Sequence, residues 1–293
     1  MQHDNPPTAV VFGGRRGLLG QAVTRKWTQE GWRVHALGRE DVDLNSQEAL
    51  RAALQSYHPD VVLNTIAYTN VDGAENDVAN ARNINQGFPS RLGRSLPSRE
   101  TTLVHYSTDF VFGGEQQTPY STTDPTRPCN VYGQTKLEGE KALLQQGLPQ
   151  LYIIRTAWLF GPGKANFVTT MRRLATTHPR LRVIHDQVGS PTYTVDLAGY
   201  TLHLLHKAPA GLYHLTNSGR ASWCELASEA LTLFGSSCPV EPITAAEYPQ
   251  TAPRPHESVL DCATFTAATG IKPRPWPQAL REYVYLTMEA DTT

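Results

Sequence analysis

Short apolar runs alternate with amphipathic stretches through the first half of the chain. Thr8-Ala9-Val10-Val11-Phe12 is apolar without alternation, the pattern of a strand buried on both faces of a parallel sheet. Leu19, Ala22, Val23 and Trp27 then recur at helical spacing, and Arg33-Val34-His35-Ala36-Leu37 predicts a second strand. Ala49, Leu50, Ala53, Leu54 and Tyr57 form the stripe of a second helix, and residues 60–65 predict a third strand. Residues 75–96 read as one helix, and Thr102 to Tyr106 as a fourth strand that delivers Ser107 and Thr108 at its C-terminal end. A helix carrying Tyr132 runs to about Gln145, and Leu151 to Ile154 is a fifth strand. Five rounds of alternation predict an α/β fold, a doubly wound parallel sheet of the Rossmann type.

After residue 160 the pattern changes. Trp158 to Gly163 is a turn, Phe167, Met171 and Leu174 share one helical face, and residues 186–192 and 254–258 are dense in polar and turn residues. The expected division is a dinucleotide-binding domain mainly in 1–160 and a smaller substrate-binding lobe mainly in 161–293, with segments exchanged between them. The loop from Gly113 to Pro128 is long enough to serve as a substrate-facing lid.

Composition narrows the partners. With 293 residues, 40% hydrophobic and 18% charged, a net charge of −1 and no basic block, the chain predicts no nucleic-acid surface. No apolar run reaches membrane-spanning length, and Met1 to Pro7 holds no basic stretch leading into an apolar core. Cys129, Cys224, Cys238 and Cys262 lack paired spacing, which predicts reduced thiols in a cytoplasmic protein.

Three groups of residues carry chemistry. Gly14, Gly17 and Gly20 follow GxxGxxG where a strand hands over to a helix, the spacing that lets main-chain N–H groups approach a pyrophosphate. The second strand ends in Gly38-Arg39, where NAD-binding folds usually place a carboxylate for the ribose 2′-hydroxyl. Arg39, with Arg15 and Arg16 in the neighbouring loop, therefore predicts NADPH, with NADH possible. Tyr132 and Lys136 stand one helical turn apart, so the ammonium is expected to lower the phenol's pKa toward the working range, while Thr108 supplies a neutral hydroxyl. Packing of Tyr132 and a solvated Lys136 is the plain alternative.

Ala67-Tyr68-Thr69-Asn70-Val71-Asp72, Tyr106 to Phe112, Tyr132-Gly133-Gln134-Thr135-Lys136 and Arg155-Thr156-Ala157-Trp158 resemble the dTDP-4-dehydrorhamnose reductase family of extended short-chain dehydrogenases. So do residues 186–192 and the Arg254-Pro255 and Pro275-Trp276 words. The resemblance implies catalytic roles for Thr108, Tyr132 and Lys136. It implies a cofactor wall of Gly14, Gly17, Leu18, Leu19, Gly20, Arg39, Asp43, Leu44, Ala67, Tyr68 and Thr69, with Tyr132 and Lys136 touching the cofactor as well. It places Thr108, Asp109 and Trp158 against a nucleotide-linked sugar. Some relatives join two protomers through Mg²⁺, using a carboxylate where this chain has Ala22, so no metal is expected and the assembly is a monomer or homodimer. The rival is a non-catalytic NADP-binding role, as in the methionine adenosyltransferase β subunit, which resembles the same group. Asp109 is followed by Phe110 rather than Glu, which argues against a sugar dehydratase.

Overall fold

A computed structural model describes residues 6–292; residues 1–5 of the stretch read above for a targeting signal lie outside them. The chain opens with β1 (Thr8–Phe12), α1 (Leu18–Gln29), β2 (Arg33–Leu37), α2 (Gln47–Tyr57) and β3 (Val61–Asn64). After short helices α3 (Val71–Asn76), α4 (Val78–Arg82) and α5 (Phe88–Arg94) come β4 (Thr102–Thr108), α6 (Val131–Leu144) and β5 (Leu151–Thr156). The strand Gly211–His214 adds a sixth member at the edge beside β5. The spatial order is Gly211–His214, β5, β4, β3, β1, β2, with every pair parallel. The chain reverses its direction of travel across the sheet at β1 and β3, so their C-terminal ends flank a crevice.

Period-two alternation divides the sheet between two cores. Ala9 and Val11 of β1 face one cluster with Val23 and Trp27, whereas Val10 and Phe12 face another with Leu50, Leu54 and Phe88. The first face is closed by the helix Thr194–Lys207, where Trp27 Nε1 donates to the carbonyl of Ala198 at 3.0 Å. Residues 194–214 thus belong to the sheet layer, although they lie late in the chain. The sixth strand escapes a pattern reading because it is four residues long and begins at a glycine. A separate apolar cluster joins Phe160, Val168, Leu226, Trp276 and Tyr283.

Two expectations fail locally. The helix predicted over 75–96 is broken: Asp77 is non-helical (φ −133°, ψ 52°), and Asn83–Gly87 forms a π-helical turn. The turn puts Asn85 inside, where its amide accepts from the Tyr68 N–H at 2.8 Å and donates to Thr135 Oγ1 at 3.0 Å. A Cβ at Gly139 would overlap the Asn85 carbonyl, so glycine lets α6 approach that turn. The loop 113–128 is also no free lid, because buried Tyr120 stacks on Phe112 at 4.2 Å and its main chain pairs with Val259 and Asp261.

Candidate active site

The cofactor end is built from main chain. Gly17 opens α1 with no side-chain cap and no acidic residue in the first turn, which leaves the helix N-terminus open to an anion. A Cβ at Gly20 would overlap the Gly13 carbonyl, and one at Gly17 would come within 2.7 Å of it. The loop therefore closes tightly only with glycine at both positions, and the cradle fits a dinucleotide pyrophosphate. Gly14 is buried, Leu18 is half-buried, and the Leu19 side chain lies in the core, so position 19 can serve a ligand only through its main chain.

Arg39, Asp43 and Leu44 line one pocket with Asn45, Ile66, Asn80, Asn83 and Arg91. Arg91 is tied there by donating from Nε to the Leu44 carbonyl at 3.0 Å and from Nη2 to Asn83 Oδ1 at 3.0 Å. Sequence reading missed the asparagines and Arg91, since polar residues in loops and on short helical turns leave no periodic trace. It also overstated the arginines. Arg15 pairs with Asp41 at 2.8 Å and Arg16 with Glu40 at 3.2 Å, so the acids that follow Arg39 already engage them. Arg39 itself is exposed at the pocket. Ala67 and Tyr68 are half-buried after β3 and Thr69 is exposed; Asn85 fixes Tyr68.

Thr108, Asp109 and Tyr132 meet at the end of β4. Thr108 Oγ1 donates to Asp109 Oδ1 at 3.0 Å and accepts from the Phe110 N–H at 3.2 Å. Ser258 Oγ donates to the other Asp109 oxygen at 2.6 Å. Asp109 is buried, and burial pushes its carboxyl up to about 6 against the hydrogen bonds from Ser258 and Thr108. Gly133 lets α6 reach this corner, because a Cβ there would overlap the Phe110 carbonyl. Ser258 lies 149 residues from Asp109, and no local pattern announces such a contact.

Tyr132 departs from expectation in the direction of its shift. Burial pushes the phenol up to about 12, the Thr108 hydroxyl opposes that rise, and the Asp109 charge adds to it. Lys136 does not pull it down: its ammonium is buried and donates to the Tyr106 carbonyl at 2.6 Å. Burial lowers Lys136 to about 8, with Glu140 partly opposing. Glu140, a turn further on, accepts from Ser107 and holds Arg155 through two bonds of 3.0 and 2.7 Å. Arg155 reaches His214 Nε2 at 3.5 Å, and His214 Nδ1 donates to the Tyr120 carbonyl at 3.0 Å. Lys136 and Glu140 share the helical face that sequence spacing assigns to Tyr132.

Trp158 is half-buried two residues beyond Thr156, the β5 residue paired with Thr108. Ala22 is 1% exposed within the sheet core, so it offers neither an oxygen nor a surface to a bridging cation.

The sequence profile described as RmlD substrate binding domain matches residues 8–288. Over 276 residues the chain is 41% identical to a probable dTDP-4,6-dihydroxy-2-methyloxan-3-one 4-ketoreductase of Streptomyces antibioticus, covering 93% of each. It is 40% identical over 284 residues to a dTDP-4-dehydrorhamnose reductase of Streptomyces griseus, covering 94% of this chain and 93% of that one. The crystal structure of dTDP-4-dehydrorhamnose reductase from Bacillus anthracis in complex with NADP superposes with a TM-score of 0.91 at 28% identity. That match covers 96% of this chain and 99% of the other.

Proposed function

The chain belongs to the RmlD substrate binding domain family, and on that premise we propose that it reduces the C4 keto group of a dTDP-linked 6-deoxy sugar with NADPH. The substrate is dTDP-4-dehydro-L-rhamnose and the product dTDP-L-rhamnose, a precursor of cell-surface carbohydrate. The observation that carries this reading is the convergence of Thr108, Asp109 and Tyr132 at the C-terminal end of β4, with Lys136 fixed behind them.

The glycine cradle and the pocket lined by Arg39 would hold NADPH, which would supply the hydride. Tyr132 carries its proton at neutral pH, as any phenol does, and burial holds that proton more firmly; it can still protonate the developing alkoxide, a far stronger base than phenolate. Thr108 stands beside that oxygen, and turning its hydroxyl proton from Asp109 to the substrate breaks one hydrogen bond to a carboxylate, about 1.5–3 kcal/mol, which the new bond to the developing alkoxide offsets. Lys136 places a positive charge under the reacting corner, and the half-buried Trp158 faces the sugar, while Asp109, expected beside it, is buried and acts behind Thr108. The expected assembly is a monomer or a homodimer without bridging metal, since position 22 holds a buried alanine in place of a carboxylate. Light scattering with and without EDTA tests this, and a change of mass on chelation would show that another carboxylate, such as Glu282, restores the site.

Incubation with NADPH and dTDP-4-dehydrorhamnose tests the proposal, with loss of NADPH absorbance as the readout. Tight NADPH binding without turnover of any 4-keto sugar nucleotide would favour the non-catalytic reading instead.

A further inference from the structure

Trp158 takes a φ of +47°, a left-handed conformation that a bulky residue adopts only where its surroundings hold it. Two groups do so. The Trp158 indole stacks on Trp223 with ring centroids 3.5 Å apart and planes inclined by 3°. Against another part of the ring lies Gly189, where a Cβ would come within 2.5 Å of Cε2 and Nε1. Both restraints come from one ribbon. Gly189 pairs antiparallel with Ala221, Val188 pairs with Ser222, and Trp223 follows as the first residue of the helix Trp223–Leu233.

Local chemistry fixes where Trp223 projects. The Ser222 hydroxyl accepts from the Glu225 N–H at 3.1 Å, and Glu225 accepts from the Ser222 N–H at 2.6 Å, a reciprocal cap at the helix start. Phe167 packs on Trp223 at 4.6 Å. Simple burial of an indole requires neither a left-handed backbone nor a stacked partner. Here both act on a side chain that stays half-buried, close in sequence to the strand position paired with Thr108.

We propose that Trp223, together with Gly189, is a positioning residue that seats Trp158 for recognition of the sugar nucleotide. The stack leaves the indole one orientation, and its remaining exposed surface meets the substrate. This rests on the reductase reading and adds the residues that set its sugar specificity.

Calorimetric titration of dTDP-L-rhamnose into the NADP-loaded protein tests the seat, with NADPH affinity and steady-state kinetics measured beside it. Trp223→Leu weakens sugar-nucleotide binding about tenfold, the scale of one lost aromatic pair, and raises KM more than it lowers kcat. Trp223→Phe keeps an aromatic face and restores most of the affinity, while NADPH binding is unchanged in both. Gly189→Ala crowds the ring from the ribbon side and gives the same selective loss. It decides the matter by the same readouts if Trp223→Leu does not fold. Unchanged sugar-nucleotide affinity in these variants, or an equal loss of NADPH affinity, overturns the seat. Wild-type protein that binds dTDP-L-rhamnose but never oxidises NADPH would overturn the reductase reading alone.

Discussion

Lys136 donates from a buried ammonium to the main-chain carbonyl of Tyr106 at 2.6 Å, which ties α6 to β4 two residues before Thr108. Burial lowers Lys136 to about 8, so its charge is at stake close to neutrality. A lowered lysine is protonated below that value and loses its charge as pH rises through it. We expect kcat/KM for reduction to fall as pH rises through about 8. Lys136→Arg moves that fall to higher pH, since a guanidinium stays charged. A rate profile that stays flat well past this pH would show that the Lys136 charge has no part in turnover.

Tyr132→Phe tests the proton donor. Phenylalanine keeps the edge contact with Phe110, now at 5.7 Å between ring centroids, and removes only the hydroxyl. Turnover falls by roughly 10²–10⁴-fold, the usual scale of general acid catalysis, while NADPH affinity changes little. Near wild-type turnover would return Tyr132 to a packing role.

Much of this was legible in the chain because its physics is local. Residues 8–12 read as a strand since apolar continuity reports burial on both faces, and the glycines of the first loop report close main-chain approach. The Tyr132 and Lys136 face follows from helix periodicity. What the pattern hid depends on distance or environment: Ser258 reaches Asp109 across 149 residues, and Glu40 and Asp41 engage arginines that looked free. The upward shift of Tyr132 required knowing its burial, which outweighs a neighbouring charge turned toward another partner.

Cofactor choice rests on Arg39 alone of the three arginines, because Arg15 and Arg16 are paired with acids. We expect NADPH to be preferred over NADH, and Arg39→Ala to raise the apparent constant for NADPH about tenfold with little effect on NADH. An exposed charged hydrogen bond sits at the low end of about 1.5–3 kcal/mol, which sets that estimate. Steady-state kinetics with both cofactors decide it, and a preference for NADH in the unaltered protein would sink the inference.

Acid stability is set by opposing buried groups. Burial and the Arg155 charge lower His214 from 6.5 to about 3, so its contribution is present above 6.5 and lost as pH falls toward 3. That window corresponds to on the order of 5 kcal/mol. His105 is lowered as well, by burial and by Lys136, and acts with the same sign. Asp109 is raised from 3.8 to about 6, so the folded state gains protons first and acidification across that window favours folding by on the order of 3 kcal/mol. The histidines win, and stability falls between pH 6.5 and 4. Urea unfolding across this range should show a shallower fall for His214→Gln and a steeper one for Asp109→Asn. The same slope in all three proteins would show that these groups do not govern it.

Glu140 and Arg155 form a bidentate pair with side chains 2% and 5% exposed, so neither charge has water to fall back on. Glu140→Gln leaves the guanidinium uncompensated between the ring of Phe112, 5.2 Å away, and neutral His214. Removing one partner of a buried pair costs about 3–5 kcal/mol, more than the loss of the Ser107 hydrogen bond at about 1 kcal/mol. The double variant Glu140→Gln with Arg155→Met therefore recovers stability relative to Glu140→Gln alone, because it removes the stranded charge. Lys136 gives a second readout, since Glu140 opposes its depression and its loss moves the pH dependence of turnover to lower pH. Denaturant midpoints and rate profiles on the two variants separate these effects. A Glu140→Gln protein as stable as wild type would mean that water enters behind α6 and solvates Arg155.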